Sequence, residues 1–148
     1  MVTGTATICV FDLQALKHRV ADSADWWSDE EEELKEVNAA NALFVALGSD
    51  GRYDVEVCTD DRFEEPLRVV TACLTCPSGR VFIGPGEDVS GGDFEPDRRQ
   101  TTGQLLTVAP GRYRVTLYRL GGWVVGVFLE PTNLASGNAF DSGLSIAD

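Results

Sequence analysis

Twenty-four acidic against twelve basic side chains in 148 residues leave a net charge of −12 and a pI near 4.4. Such a surface repels nucleic-acid backbones and anionic membranes, so neither is an expected partner. Hydrophobic residues at 43% and charged residues at 24% are the proportions of one globular domain with its own core, and they exclude whole-chain disorder.

The segment 5–11 is β-branched and apolar and predicts a strand. In 12–20, Leu13, Leu16 and Val20 fall at i, i+3 and i+7, which predicts a short helix with Asp12 as its N-cap. A loop bearing Trp26 and Trp27 follows. Ser28-Asp29-Glu30-Glu31 has capping-box spacing, so Ser28 is expected to cap a second short helix. The carboxylates from Asp29 to Glu33 suit the positive end of that helix.

From Ala42 onward the pattern is β. The run 43–47 predicts a strand, and Gly48-Ser49-Asp50-Gly51 a hairpin turn. The run 52–58 alternates, with Tyr53, Val55 and Val57 on one face. The runs 67–76 and 80–83, around Pro77-Ser78-Gly79, predict a further pair of strands. Residues 84–102 form a long loop with four glycines and two prolines, a length that is uncommon unless functional or mobile. The run 104–108 predicts a strand before the turn Ala109-Pro110-Gly111. In 112–118, Tyr113, Val115 and Leu117 share a face. Gly121-Gly122 predicts a hairpin into the last strand, 123–130, which Pro131 ends. The domain is thus expected over 1–130, with 131–148 as a surface tail. Gly51-Arg52-Tyr53-Asp54-Val55 and Gly111-Arg112-Tyr113-Arg114-Val115 match in pattern. A common turn-then-strand pattern is the simpler account of the match, and equivalent hairpins in two sheets the other.

Together these elements predict a mainly β chain. The expected form is an antiparallel β-sandwich of about eight strands with one or two short N-terminal helices. Strands and helices do not alternate, which argues against a parallel doubly wound sheet. The expected core holds Val10, Leu43, Val45, Tyr53, Val55, Val57, Val69, Phe82, Leu106, Tyr113, Val115, Leu117, Val125 and Val127.

Residues 1–10 have neither the basic start nor the long apolar stretch of an export signal, and no apolar run approaches the roughly 20 residues that cross a bilayer. A cytoplasmic setting is expected, with Cys9, Cys58, Cys73 and Cys76 as reduced thiols. Cys73-Leu74-Thr75-Cys76 has C-x-x-C spacing but ends a strand, where i and i+3 point to opposite faces. Structural thiols are the expectation.

Chemistry is sparse. His18 is the lone histidine, so no Ser-His-Asp or Cys-His arrangement has a spare base, and zinc lacks ligands. The glycine-rich stretches Gly84-Pro85-Gly86 and Gly91-Gly92 lack the Lys-Ser/Thr of a phosphate loop. No catalytic residue, metal or cofactor is assigned, and the chain is read as a non-enzyme. The alternative is a small-ligand or cation site in the acidic loop 84–103, through Glu87, Asp88, Asp93, Glu95 and Asp97.

Charge is unevenly placed. Residues 1–74 hold sixteen acids and six bases, and residues 75–148 eight and six. Residues 22–36 alone carry eight carboxylates against Lys35, and residues 54–65 six against Arg62. A solubilising face is the bland account of such a run. The sharper one is a docking surface for a basic protein, steered by complementary charge. The residues assigned to it are Trp26, Trp27, Asp29, Glu30, Glu31, Glu33, Glu36, Asp60 and Asp61. Of the two tryptophans, one is expected to pack inward as the helix's staple.

The arrangement resembles the bacterial competence nuclease inhibitor family. An opening strand, Trp26-Trp27-Ser28-Asp29, Asn38-Ala39-Ala40-Asn41-Ala42-Leu43-Phe44 and Ala109-Pro110-Gly111-Arg112-Tyr113-Arg114-Val115 carry the resemblance, over residues 5 to about 120. The double Trp and the loop 84–103 depart from it. A closer resemblance is to uncharacterised small acidic bacterial proteins, which transfers no function. The inhibitor resemblance implies an acidic sandwich that blocks a basic enzyme such as a nuclease or toxin, an inhibitor or immunity-type role. It assigns no inhibitory residue by position.

Overall fold

The computed structural model describes residues 1–58, 60, 65–98, 100–133 and 137–147. The chain is mainly β. Its strands are β1 (Val2–Thr3), β2 (Thr7–Asp12), β3 (Ala42–Ala46), β4 (Gly51–Arg52), β5 (Asp54–Cys58), β6 (Arg68–Cys76), β7 (Arg80–Pro85), β8 (Gln104–Thr107), β9 (Gly111–Arg119), β10 (Val124–Pro131) and β11 (Leu144–Ser145). One α-helix, α1 (Glu30–Asn38), stands among the described residues with three single 3₁₀ turns, at Lys17–Arg19, Trp26–Ser28 and Gly86–Asp88. None of these helices is long and apolar enough to cross a membrane.

The strands form three sheets, in the orders β1-β4, β5-β10-β9-β6 and β11-β3-β2-β7-β8. Two pairings, β10 with β5 and β11 with β3, are parallel; the others are antiparallel. Val10, Phe44 and Phe82 of the five-stranded sheet share one hydrophobic cluster with Leu74, Val115 and Val127 of the four-stranded sheet. The expectation of eight antiparallel strands is therefore corrected to a larger, mixed set, and the mainly β character stands.

Three of the predicted turns do something other than join neighbouring strands. Residues 47–50 lead from β3 in the five-stranded sheet toward β5 in the four-stranded one. Pro77-Ser78-Gly79 carries β6 to β7, and Val108-Ala109-Pro110 carries β8 to β9, each again between sheets. Only Gly121-Gly122, of the predicted turns, closes a true hairpin, between β9 and β10. The matched Gly-Arg-Tyr segments mark two of these crossings. Tyr53 Oη donates to Ser49 O at 2.7 Å, and Tyr113 Oη donates to Ala109 O, four residues upstream in each case. Gly51 and Gly111 have φ of 147° and 154°, where a side chain is strained. The segments are therefore equivalent corners entering one sheet, a Tyr–backbone latch of the kind known from β-sandwich corners, and not hairpins in two.

The first predicted helix shrinks to the turn at Lys17–Arg19 because the strand ladder takes its start. Asp12 pairs with Val81 in β2–β7, and Leu13 N donates to Arg80 O. The Asp12 carboxylate is buried and accepts from Gln14 N, Ser78 N, Ser78 Oγ and Gly79 N, so it ties down a sheet crossing instead of capping a helix. In the second helix the cap moves one residue. Asp29, not Ser28, accepts from Glu31 N and Glu32 N.

Val69 is corrected from core to surface, at 54% exposed. On β6 the inward set is Val70, Ala72, Leu74 and Cys76, and the adjacent valines left the phase ambiguous in sequence. Cys73 faces outward and Cys76 inward. All four thiols are free. Burial, with Asp12 adding, pushes Cys76 up to about 12, and burial pushes Cys9 well above its ordinary value.

Residues 137–147, within the segment expected as a surface tail, are built into the fold. β11 runs parallel to β3, and Ile146 is fully buried. Asn138 accepts from Cys73 N and donates to Cys73 O and Val37 O, each at 2.8 Å, which joins this segment to the free edge of β6 and to α1. Asn38 and Phe140 add two bonds through the Asn38 side chain. Replacing Asn138 with Ala should cost about 2–3 kcal/mol, at about 1 kcal/mol for each bond lost. Urea unfolding measures this, and an unchanged midpoint would mean that Asn138 does not hold the segment.

Candidate functional site

The acidic stretch 22–36 folds around one cation that lies just outside it. Arg19 is buried, at 8% exposed, and its guanidinium meets three carboxylates. Nη2 reaches Glu32 at 2.7 Å, Nε reaches Glu36 at 3.0 Å and Nη1 reaches Asp22 at 3.1 Å. The guanidinium carbon stands 4.4 Å over the Trp26 ring. Burial disfavours the charge on Arg19, and its bonds to Glu32, Glu36 and Asp22 outweigh this, so the cation is held. Glu36 also lies 2.7 Å from His18 Nε2 and accepts from Asn41 Nδ2 at 2.9 Å. Burial raises the Glu36 carboxyl, but the bonds from His18, Asn41 and Arg19 hold it below the ordinary range.

Trp26 is the inward member of the pair. It is 6% exposed, meets Phe44 edge-on at 5.8 Å and donates from Nε1 to Ser90 O at 2.8 Å. Trp27 is half-buried and stacks on the same Phe44 ring at 5.6 Å. Of the residues assigned to a docking surface, Trp26 and Glu36 are both buried and engaged inside the molecule. Asp29, Glu30 and Glu31 remain exposed on the first turn of α1, and Glu33 is half-buried. Asp60 is exposed beyond β5, in the four-stranded sheet, whereas α1 packs against β3 of the five-stranded one. Asp61 lies outside the described residues. Asp60 and the first turn of α1 thus lie beside different sheets.

Glu33 differs from its neighbours. Burial, with Glu30 one turn back adding, pushes its carboxyl up to about 7. Thr7, Phe44, Ala46 and residues 143–145 line a small cavity with it.

The described residues of the loop 84–103 are packed against the rest of the chain rather than free of it. Val89, Ser90, Gly91, Glu95 and Pro96 are buried. Glu87 accepts from Gly4 N, and Asp88 from Thr101 Oγ1. Glu95 pairs with Lys17 at 2.6 Å and Arg98 at 3.5 Å, and Asp97 with Arg80 at 3.2 Å. Among the described residues, no three His, Cys, Asp or Glu side chains converge as metal ligands. Sequence reading missed Arg19 as the organiser. Its signal was the i,i+3 spacing to Asp22, which lay across the edge of the acidic window.

Comparison with known proteins adds the following. The model of a family of unknown function, DUF6386, matches residues 1–142. No curated protein matches the chain. Two solved structures share the fold. One, described as crocagin biosynthetic gene J, is 19% identical with a TM-score of 0.56, over 87% of this chain and 92% of that one. The other is ComJ from Bacillus subtilis, described as the inhibitor of the DNA-degrading activity of NucA. It is 12% identical with a TM-score of 0.54, over 88% of this chain and 92% of that one. At these identities the likeness concerns the fold alone.

Two outcomes follow from the site's electrostatics. Arg19→Met should cost about 3–5 kcal/mol, because it leaves the Glu36 carboxylate buried without its cation. The double variant Arg19→Met/Glu36→Met should recover part of that loss in urea unfolding. Glu33→Gln should raise the thermal midpoint by several degrees at pH 8 and little at pH 5. An ordinary carboxyl loses its proton near 4.5 in the unfolded chain and near 7 in the fold, so stability falls as pH rises between those values. Equal midpoints at pH 8 would place Glu33 in contact with solvent.

Proposed function

The chain belongs to the DUF6386 family, and from that premise we propose that it is a non-enzymatic, inhibitor or immunity-type protein. It docks through its acidic surface on a basic protein, a nuclease or toxin. The observation that carries this reading is the exposed acidic turn of α1, on a fold shared with an inhibitor of a DNA-degrading enzyme. The docking residues are Trp27, Asp29, Glu30, Glu31 and Glu33, with Asp60 and Asp61 as a second patch. The same reading takes the two large sheets as layers of a sandwich, and the cytoplasm as the place of action.

The physical argument is one of net field. Arg19 internally balances carboxylates that face it, whereas Asp25, Asp29, Glu30 and Glu31 stand exposed. Like charges at i,i+4 on a helix cost about 0.2–0.5 kcal/mol for each pair. A cationic partner relieves that repulsion, and the relief adds to affinity. The field also draws the partner in, so association should slow as salt rises past about 0.15 M, where the screening length is about 8 Å. The small-ligand reading ranks behind, because Glu87, Asp88, Glu95 and Asp97 are held in internal bonds.

Affinity capture from the native host tests the reading, with the product of the neighbouring gene as first suspect. Glu30→Lys/Glu31→Lys should then slow association with the captured protein by about ten-fold or more and leave dissociation nearly unchanged. Capture of acidic or neutral partners alone, or an unchanged association rate, would reduce the face to a solubilising one.

A further inference from the structure

Every other carboxylate that faces inward from the helical region has a partner. Asp22, Glu32 and Glu36 meet Arg19. Glu33 is the exception. It is half-buried, and no cation or hydrogen-bond donor among the described residues reaches its carboxylate. The space before it is a small cavity between α1, the start of β2, the end of β3 and β11. Phe44, Ala46 and Leu144 give that cavity an apolar wall, and Thr7 and Ser145 give it two hydroxyls. Trp27 stacks on the Phe44 ring. Gly143 opens the side next to the carboxylate, where an added Cβ would stand 3.6 Å from Glu33 Oε1.

We propose that this cavity is the anchor site of the docking surface and receives one lysine or arginine side chain of the basic partner. This rests on the reading above and specifies where its contact is concentrated. The fit is chemical. A lysine or arginine carries an aliphatic stem and a cationic end. The stem suits Phe44, Ala46 and Leu144. The charge suits an unpaired carboxylate, and the two hydroxyls can accept its remaining N–H groups. A half-buried carboxylate with no partner costs solvation in the free protein, and an incoming cation removes that cost. The rise of the Glu33 carboxyl to about 7, through burial and Glu30, agrees with a carboxylate that no cation reaches. The charged group that bears on it is Glu30. The side chains presented by β2, β3 and β11, Thr7, Phe44, Ala46, Leu144 and Ser145, do not titrate. Entry of a cation therefore favours the ionised form and releases a proton.

Carbon-13 NMR of the glutamate side-chain carboxyls, with a hexalysine peptide as probe, tests the site on the intact chain. Millimolar peptide should lower the Glu33 titration midpoint by one unit or more. That corresponds to cation binding ten-fold tighter to the ionised form. The same peptide should shift the signals of Thr7 and Leu144. Glu33→Gln should remove those shifts and weaken peptide binding about ten-fold, whereas Glu130→Gln, exposed on β10, should keep them. Displacement of Glu30 and Glu31 with an unmoved Glu33 midpoint would overturn the proposal, as would full binding by Glu33→Gln. With a captured partner the two readings separate. Sensitivity to Glu30→Lys/Glu31→Lys without sensitivity to Glu33→Gln keeps the docking surface and removes the anchor. Peptide binding at Glu33 with no basic partner captured keeps the cation pocket and removes the inhibitor reading.

Discussion

The guanidinium of Arg19 is the constraint on which the helical side of this molecule depends. It draws Asp22, Glu32 and Glu36 to one point and lies over Trp26. Trp26 in turn meets Phe44 of β3 and donates to Ser90 O, which fixes the middle of the loop 84–103. Lys17, two residues away, pairs with Glu95 further along that loop. One short turn therefore positions α1, the loop and the strand beneath them. A buried ion network of this kind is a poor source of net stability, since desolvation offsets its attraction. Its effect is geometric: removing the cation leaves acids that have nowhere to go.

The same network explains how far the sequence could be read. Alternation placed the strands well. Tyr53, just before β5, and Val55 and Val57 on it face inward or half-inward, and Tyr113, Val115 and Leu117 face inward on β9. Pairing was the illegible part. Asp50-Gly51 and Pro77-Ser78-Gly79 are strong turn signals, but a turn residue fixes the local reversal of the chain and says nothing of which sheet receives it. Here the sheet was decided by burial at a distance. Asp12 accepts four bonds and locks the crossing at Ser78 and Gly79. The Tyr53 and Tyr113 hydroxyls lock the other two. The closing segment was illegible for a similar reason. Its composition is polar and small, yet Asn138 bonds to the backbone of β6 and α1, and Ile146 fills the core. Neither partner is near in sequence.

For the candidate site, charge density was legible and charge availability was not. Counting acids in 22–36 gives eight carboxylates against one lysine. The count stops three residues short of Arg19, which engages three of the eight. It also treats Trp26 and Trp27 alike, although adjacent residues on a 3₁₀ turn point in different directions and only one can reach Ser90 O. Glu36 fell into the same error. Its place on α1 is read from spacing, but its burial depends on His18 and Asn41 arriving from either side.

On the docking reading proposed above, a narrower acidic surface changes what a partner must be. Eight free carboxylates would attract any polycation, with affinity governed by salt and little else. Pairing three of them internally lowers that unspecific field and leaves the exposed first turn of α1 as its source. Selectivity then has to come from shape. Trp27 stacks on Phe44 at the edge of a cavity whose carboxylate stays uncompensated. A diffuse field sets how often a basic surface arrives, and a single desolvated pair sets how long it stays. Both features stand on the platform that Arg19 holds in place. A chain that kept its charge but lost that platform would retain the attraction and lose the discrimination.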